Sequence, residues 1–163
     1  MQAGDFNNRQ LLFLRGIKKR LKVNAGFSII NHTADIGFQA FSTTLEGLFT
    51  ETAKNLYNLL LARSARVKVR EKRLVVVEGV DREDLLIRWL SELLFLFSTE
   101  GFACGQIEIL SLSETTLEAN LLGEKTSPLK NKRRMEIKAV TYHQVKIDEL
   151  PKGEWGVQVI FDV

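Results

Sequence analysis

Between Asp81 and Gly101 the apolar residues Leu85, Leu86, Trp89, Leu90, Leu93, Leu94 and Phe97 recur at spacings that place them on one broad side of a helix. A helix that is apolar over more than half its circumference is not a surface element. It must lie between a sheet and something else, and this limits the chain to a layered fold. Asp81 is suited to cap the helix, Glu83 and Asp84 favour its first turn, and Gly101 can end it. Trp89 accordingly reads as a core residue before it reads as a ligand-stacking one.

A second helix is predicted after Thr43 and Glu46, which are spaced as a capping box; Leu45, Leu48, Phe49, Ala53, Leu56, Tyr57, Leu59 and Leu60 form its buried face. Extended segments are predicted at 27–31, 36–41, 67–69 and 74–77, the last β-branched enough for a central strand. After Gln106 the texture is strand-like, at 107–112, 116–122, 135–147 and 155–163. The expected class is α+β, with two helices packed on a mixed, largely antiparallel sheet in a single domain. A length of 163 residues with 45% apolar content can bury one such core.

Charge is unevenly placed. Residues 1–25 read as a basic extension outside the fold, with Arg9, Arg15, Lys18, Lys19, Arg20 and Lys22 against Asp5, and the domain is expected to span 26–163. Without that extension 17 basic residues face 19 acidic ones, so the body has no evident basic face for nucleic acid. The segment 125–134, with Lys125, Lys130, Lys132, Arg133 and Arg134, reads as a solvated loop, with a phosphate or partner contact as the alternative. A single cysteine, Cys104, allows no internal disulfide and no multi-cysteine zinc site. No apolar run reaches the roughly 18 residues of a membrane helix and no secretory layout is evident, so a cytoplasmic protein without membrane contact is expected.

The chemistry concentrates in His32-Thr33-Ala34-Asp35-Ile36-Gly37, where one apolar run breaks and another begins. Side chains at such a strand end can converge on a ligand, although a plain turn uses the same residue types. At the other end of the chain, Trp155, Val157, Val159, Phe161 and Val163 alternate with Gly156, Gln158, Ile160 and Asp162. Asp162 and the terminal residue Val163 are either two negative groups near a core, needing a positive partner, or an exposed terminus. In the run 135–147, Glu136, Lys138, Val140 and Tyr142 are expected on one face and Ile137, Ala139, Thr141 and His143 on the other, which makes Lys138 the candidate partner. Oxygen ligands from Asp35 and Asp162 suit a hard ion such as Ca²⁺, Mg²⁺ or Mn²⁺; two histidines make zinc a weaker choice.

The opening motif followed by a capped helix, the stretch 85–94, the run Glu136-Ile137-Lys138-Ala139-Val140-Thr141-Tyr142-His143 and the ending Val159-Ile160-Phe161-Asp162-Val163 together resemble the archease family, in order over 27–163. The resemblance implies a small metal-binding protein that assists an RtcB-type RNA ligase in tRNA splicing, promoting its guanylylation and turnover. It implies Asp35, Asp162 and an oxygen of Val163 as metal ligands, with Ca²⁺ the first choice of ion and Mg²⁺ or Mn²⁺ next. His32, Lys138, Glu136 and His143 become functional neighbours. Ser98 stands where many microbial relatives have Asp.

Three functions compete. The preferred one is a non-catalytic activator whose partner is the ligase and which meets RNA only indirectly. An independent metal-dependent hydrolase would use His32 or His143 as base, but no Ser-His-Asp set or Gly-rich phosphate loop accompanies them. An RNA-binding or chaperone-like module would rely on the amino-terminal segment and the basic loop, without an RNA-binding motif in support.

Overall fold

The computed structural model describes residues 35–62, 66–126 and 135–163, together with the backbone of 28–31. Among these residues, seven strands and two α-helices follow in the order β1 (Ser28–Asn31), β2 (Asp35–Ser42), α1 (Leu45–Leu60), β3 (Glu71–Glu78), α2 (Arg82–Ser98), β4 (Phe102–Leu112), β5 (Thr116–Lys125), β6 (Ala139–Leu150) and β7 (Glu154–Asp162). The α+β class with two helices is as expected. The strands, however, form two sheets rather than one mixed sheet: a four-stranded sheet ordered β1-β2-β7-β6 and a three-stranded sheet ordered β3-β5-β4. Every strand pair in them is antiparallel.

The two helices lie between the sheets. Helix α1 touches β2 and β7 of one and β4 of the other, while α2 touches β6 of the first and all three strands of the second. This is what the broad apolar surface of α2 requires, and Leu85, Leu86, Trp89, Leu90 and Leu93 are fully buried. Trp89 donates its indole N–H to the Phe49 carbonyl (3.3 Å), which satisfies its polar atom within the core. No helix among the described residues is long and apolar enough to cross a membrane.

Caps show how closely local chemistry decides boundaries. Asp81 caps α2 by accepting from the Asp84 N–H (2.8 Å). On α1 the cap is Thr44 rather than Thr43, its hydroxyl accepting from the Gly47 N–H (3.0 Å). Helix α2 ends at Thr99, and Gly101, with φ +67°, turns the chain into β4 in a conformation that favours glycine.

The four-stranded sheet turns Ile36, Phe38 and Ala40 of β2 and Val157, Val159 and Phe161 of β7 into the core. Register then fixes the opposite face, where Asp35, Gly37 and Gln39 lie beside Asp162, Ile160 and Gln158. Two expectations change in the other strands. The segment 74–77 lies in β3, which among the described residues is an edge strand, not a central one. Strand β6 begins only at Ala139, and its regular alternation is lost because Ile137 and Val140 are both buried while Tyr142, His143 and Gln144 are all exposed. The cause is an interruption in the ladder: Thr141 pairs with Ile160 and Lys146 with Gln158, leaving 142–145 opposite Val159 alone, with Gln144 at φ 54°.

Candidate functional site

Strand register brings the two carboxylates together. Strands β1 and β2 form an antiparallel pair in which Asn31 faces Ile36. Asp35, the first residue of β2, sits directly across from Asp162, the last residue of β7. Ala139 flanks Asp162 on its other side. Both aspartates are exposed, on the face away from the core, so the second reading of Asp162, an exposed terminus, describes its burial correctly. Like charges set opposite one another across a ladder destabilise it, and a cation between them reverses the sign.

Lys138 joins the same corner. Its backbone N–H donates to the Asp162 carbonyl (2.8 Å) and its ammonium to the main-chain oxygen of Val163 (3.1 Å). It thus ties down the carboxyl end of β7 through main-chain oxygens, and it forms no ion pair with either aspartate side chain among the described residues. Glu136 is exposed two residues earlier, in a stretch without regular structure. His32 lies outside the described residues, as do residues 1–25 and the lysines and arginines at 130–134.

Next to the aspartate corner is an open depression of about 310 Å³, lined by Asp35, Gly37, His143, Gln144, Gln158 and Ile160. Asp35 and His143 therefore line one shared hollow, His143 standing in the interruption of β6. Gln158 lies at the centre of an amide row, accepting from Gln39 (3.3 Å) and donating to Gln144 (3.4 Å). Neither Gln144 nor Gln158 was singled out from the sequence. The signal was present in the polar run Tyr142-His143-Gln144, which breaks an alternating strand where a bulge would.

The interruption is braced from α2. The Tyr142 hydroxyl donates to Asp84 (2.6 Å), whose other oxygen accepts from the Val80 N–H (2.9 Å) and the Arg88 guanidinium (2.8 Å). These donors, the Tyr142 hydroxyl foremost, hold the Asp84 carboxyl below its usual range, and the same hydrogen bond raises Tyr142. Glu83 adds a second brace by accepting from the Ile147 N–H (3.0 Å). Ser98 is at the opposite end of α2, where its hydroxyl donates to the Leu94 carbonyl within the helix (2.6 Å).

Two carboxylates and a main-chain oxygen would suit a hard cation in kind, since Ca²⁺ takes six to eight oxygens and Mg²⁺ six. The set is open rather than closed: no three His, Cys, Asp or Glu side chains cluster for a metal among the described residues. An ion held there would take its remaining oxygens from water, main chain or a partner. Cys104 is not part of this chemistry. Its thiol is buried, donates to the Gln106 carbonyl (3.0 Å) and is pushed up to about 11 by burial, which makes it a poor nucleophile.

Residues 27–163 match the archease protein family (MTH1598/TM1083). Protein archease of Pyrococcus abyssi is 38% identical over 136 residues, covering 81% of this chain and 94% of its own length. Protein archease of Methanosarcina mazei is 33% identical over 141 residues, covering 84% and 95%. The solution structure of protein 1598 of Methanobacterium thermoautotrophicum superposes with a TM-score of 0.68 at 32% identity, over 85% of this chain and 99% of that one. A Thermotoga maritima crystal structure, described as an archease and "possible chaperone", shares the fold at a TM-score of 0.51 and 23% identity, over 82% and 94%. With the resemblance of its motifs matched over the whole domain, the chain belongs to the archease family.

Proposed function

We propose that this protein is a non-catalytic accessory factor that binds an RtcB-type RNA ligase and carries a divalent cation to it on Asp35, Asp162 and an oxygen of Val163, promoting guanylylation and turnover of the ligase in tRNA splicing. The observation that carries the proposal is the register of β2 on β7, which sets Asp35 opposite Asp162 on a solvent-facing corner. A bound hard cation would supply positive charge to phosphate-bearing reactants, Ca²⁺ being the first choice and Mg²⁺ or Mn²⁺ the next. The two aspartates hold the ion, and Lys138 fixes the Val163 oxygen beside them. The amides of Gln144 and Gln158 offer neutral polar contacts along the adjoining hollow. An exposed and incomplete oxygen set suits a site finished by a partner protein, and family membership favours an accessory role over an independent hydrolase.

The test is guanylate transfer from GTP to an RtcB-type ligase, with and without this protein. Transfer should be faster with it, and alone the protein should turn over neither RNA nor nucleotide. Lys138→Ala should reduce the stimulation by about tenfold or more while moving the melt only slightly, because an exposed hydrogen bond of this kind contributes about 1 kcal/mol to folding. A ligase indifferent to the wild-type protein would contradict the proposal. Hydrolysis of RNA by this protein alone, lost in His143→Ala, would favour the hydrolase.

A further inference from the structure

Strand β3 has the composition of an interior strand and the position of an edge. Among the described residues it pairs only with β5, and Leu74 and Val76 are 60% and 57% exposed. Its alternation is regular: Glu71, Arg73, Val75 and Val77 turn inward, and Lys72, Leu74, Val76 and Glu78 turn out. Lys72 and Glu78 form no ion pair among the described residues.

Backbone parity adds the decisive constraint. The Gly79 N–H donates to the Thr115 carbonyl (2.8 Å), continuing the ladder in which Glu78 faces Thr116. In an antiparallel pair, residues along one strand direct their N–H and C=O groups alternately toward one neighbour and the other. Odd-numbered residues of β3 therefore bond β5, and the main-chain groups of Lys72, Leu74, Val76 and Glu78 point to the edge that has no partner strand among the described residues. The same four residues carry the outward side chains.

We infer that this edge is a docking strand for a second copy of the chain, joined antiparallel about a two-fold axis through Val75. Only registers that pair even-numbered with even-numbered residues bring the free main-chain groups of both copies together. Among these, the register centred on Val75 sets Lys72 opposite Glu78 of the second copy at both ends, with Leu74 opposite Val76 between them. A shift of two residues either way loses both ion pairs, placing Lys72 against Val76 or Leu74 against Glu78. The stripe Lys72-Leu74-Val76-Glu78 is thus self-complementary in charge, apolar contact and hydrogen bonding at once, as an isologous interface requires. An exposed apolar edge is otherwise an aggregation hazard, and pairing in one fixed register removes it. The product is a continuous six-stranded sheet spanning two molecules, with the aspartate corner on a different sheet of each.

Sedimentation of the full chain over a concentration series tests this, with thermal melts alongside to confirm that each variant is folded. The wild type should pass from monomer to dimer as concentration rises. Lys72→Glu and Glu78→Lys should each raise the dimer dissociation constant about tenfold or more, since each sets like charges opposite one another at both ends. Mixing these two variants should yield a heterodimer, because one copy then carries two acids and the other two bases in matching positions. The double variant Lys72→Glu/Glu78→Lys should dimerise like the wild type. A wild type that stays monomeric throughout, charge reversals without effect, or a double variant that fails to recover would overturn the inference.

Discussion

The two sheets present opposite characters to solvent although their inner faces are alike. Both turn aliphatic and aromatic residues toward the helices, Phe38, Val159 and Phe161 from one and Val75, Val77 and Leu117 from the other. On the outer side, the four-stranded sheet carries Asp35 and Asp162, the Gln39-Gln158-Gln144 row and a hollow. The three-stranded sheet carries an apolar edge closed by one charge at each end. Burial explains what the faces share, since any strand against α1 and α2 must be apolar on that side. It leaves the outer faces unconstrained, and the partners proposed for them differ accordingly: an ion with a protein for one, a second copy for the other.

The largest effect expected on this contrast comes from Gly37. A Cβ there would lie 2.6 Å from the Val159 carbonyl, so Gly37→Ala must push β2 away from β7 at the position next to the aspartate pair. Urea unfolding should show a loss of about 1–3 kcal/mol, and any response to divalent ions should fall with it. Self-association through β3 should survive, because the other sheet is not touched. A variant as stable as the wild type would mean that the two strands have room to spare.

Legibility followed the same division. Both helices and the inner faces were readable from periodicity, as was the separation of Asp162 from the Val157, Val159 and Phe161 face, but periodicity left open whether Asp162 lies near a core or exposed. Asp35 was readable as a candidate from its place at a strand break. That it faces Asp162 was not, because pairing between residues 35 and 162 is set by register across the chain and leaves no local spacing. Family resemblance named the same two residues without their geometry. The misplacement of β3 has a different cause: β-branched composition reports a side chain that fits a pleated surface, not the number of neighbouring strands. In β6 alternation was extended through Tyr142-His143-Gln144, where the ladder is interrupted. The hydrogen bond that braces this irregularity, from Tyr142 to Asp84, links residues 58 apart in sequence and could not be read from either.

That brace belongs to one side of the contrast only, and acid should reveal it. Asp84 is depressed in the folded state, so its contribution to stability is in place above the unfolded carboxyl value near 4 and is lost as pH falls through the lower folded value. Melts of Asp84→Asn should lie below wild type at pH 7 and converge with it as pH drops below about 4. Tyr142→Phe removes the largest cause of the depression and should shrink the acid-sensitive part of the wild-type curve. A gap between Asp84→Asn and wild type that stays constant with pH would show that the carboxyl's charge is not what braces β6.

The smallest shift in stability is the most informative about the aspartate corner. Opposed carboxylates repel, so Asp35→Asn or Asp162→Asn should melt at or slightly above the wild type in chelator, a gain of about 0.2–1 kcal/mol. Adding millimolar Ca²⁺ should invert the order, because an ion that binds only the folded state stabilises the protein that can hold it. Thermal melts of wild type and the two variants, with chelator and across a Ca²⁺ series, therefore measure the central claim directly. The wild-type midpoint should climb with Ca²⁺ and the variant midpoints should not. A wild type indifferent to Ca²⁺, Mg²⁺ and Mn²⁺, or variants that climb in parallel with it, would contradict the account.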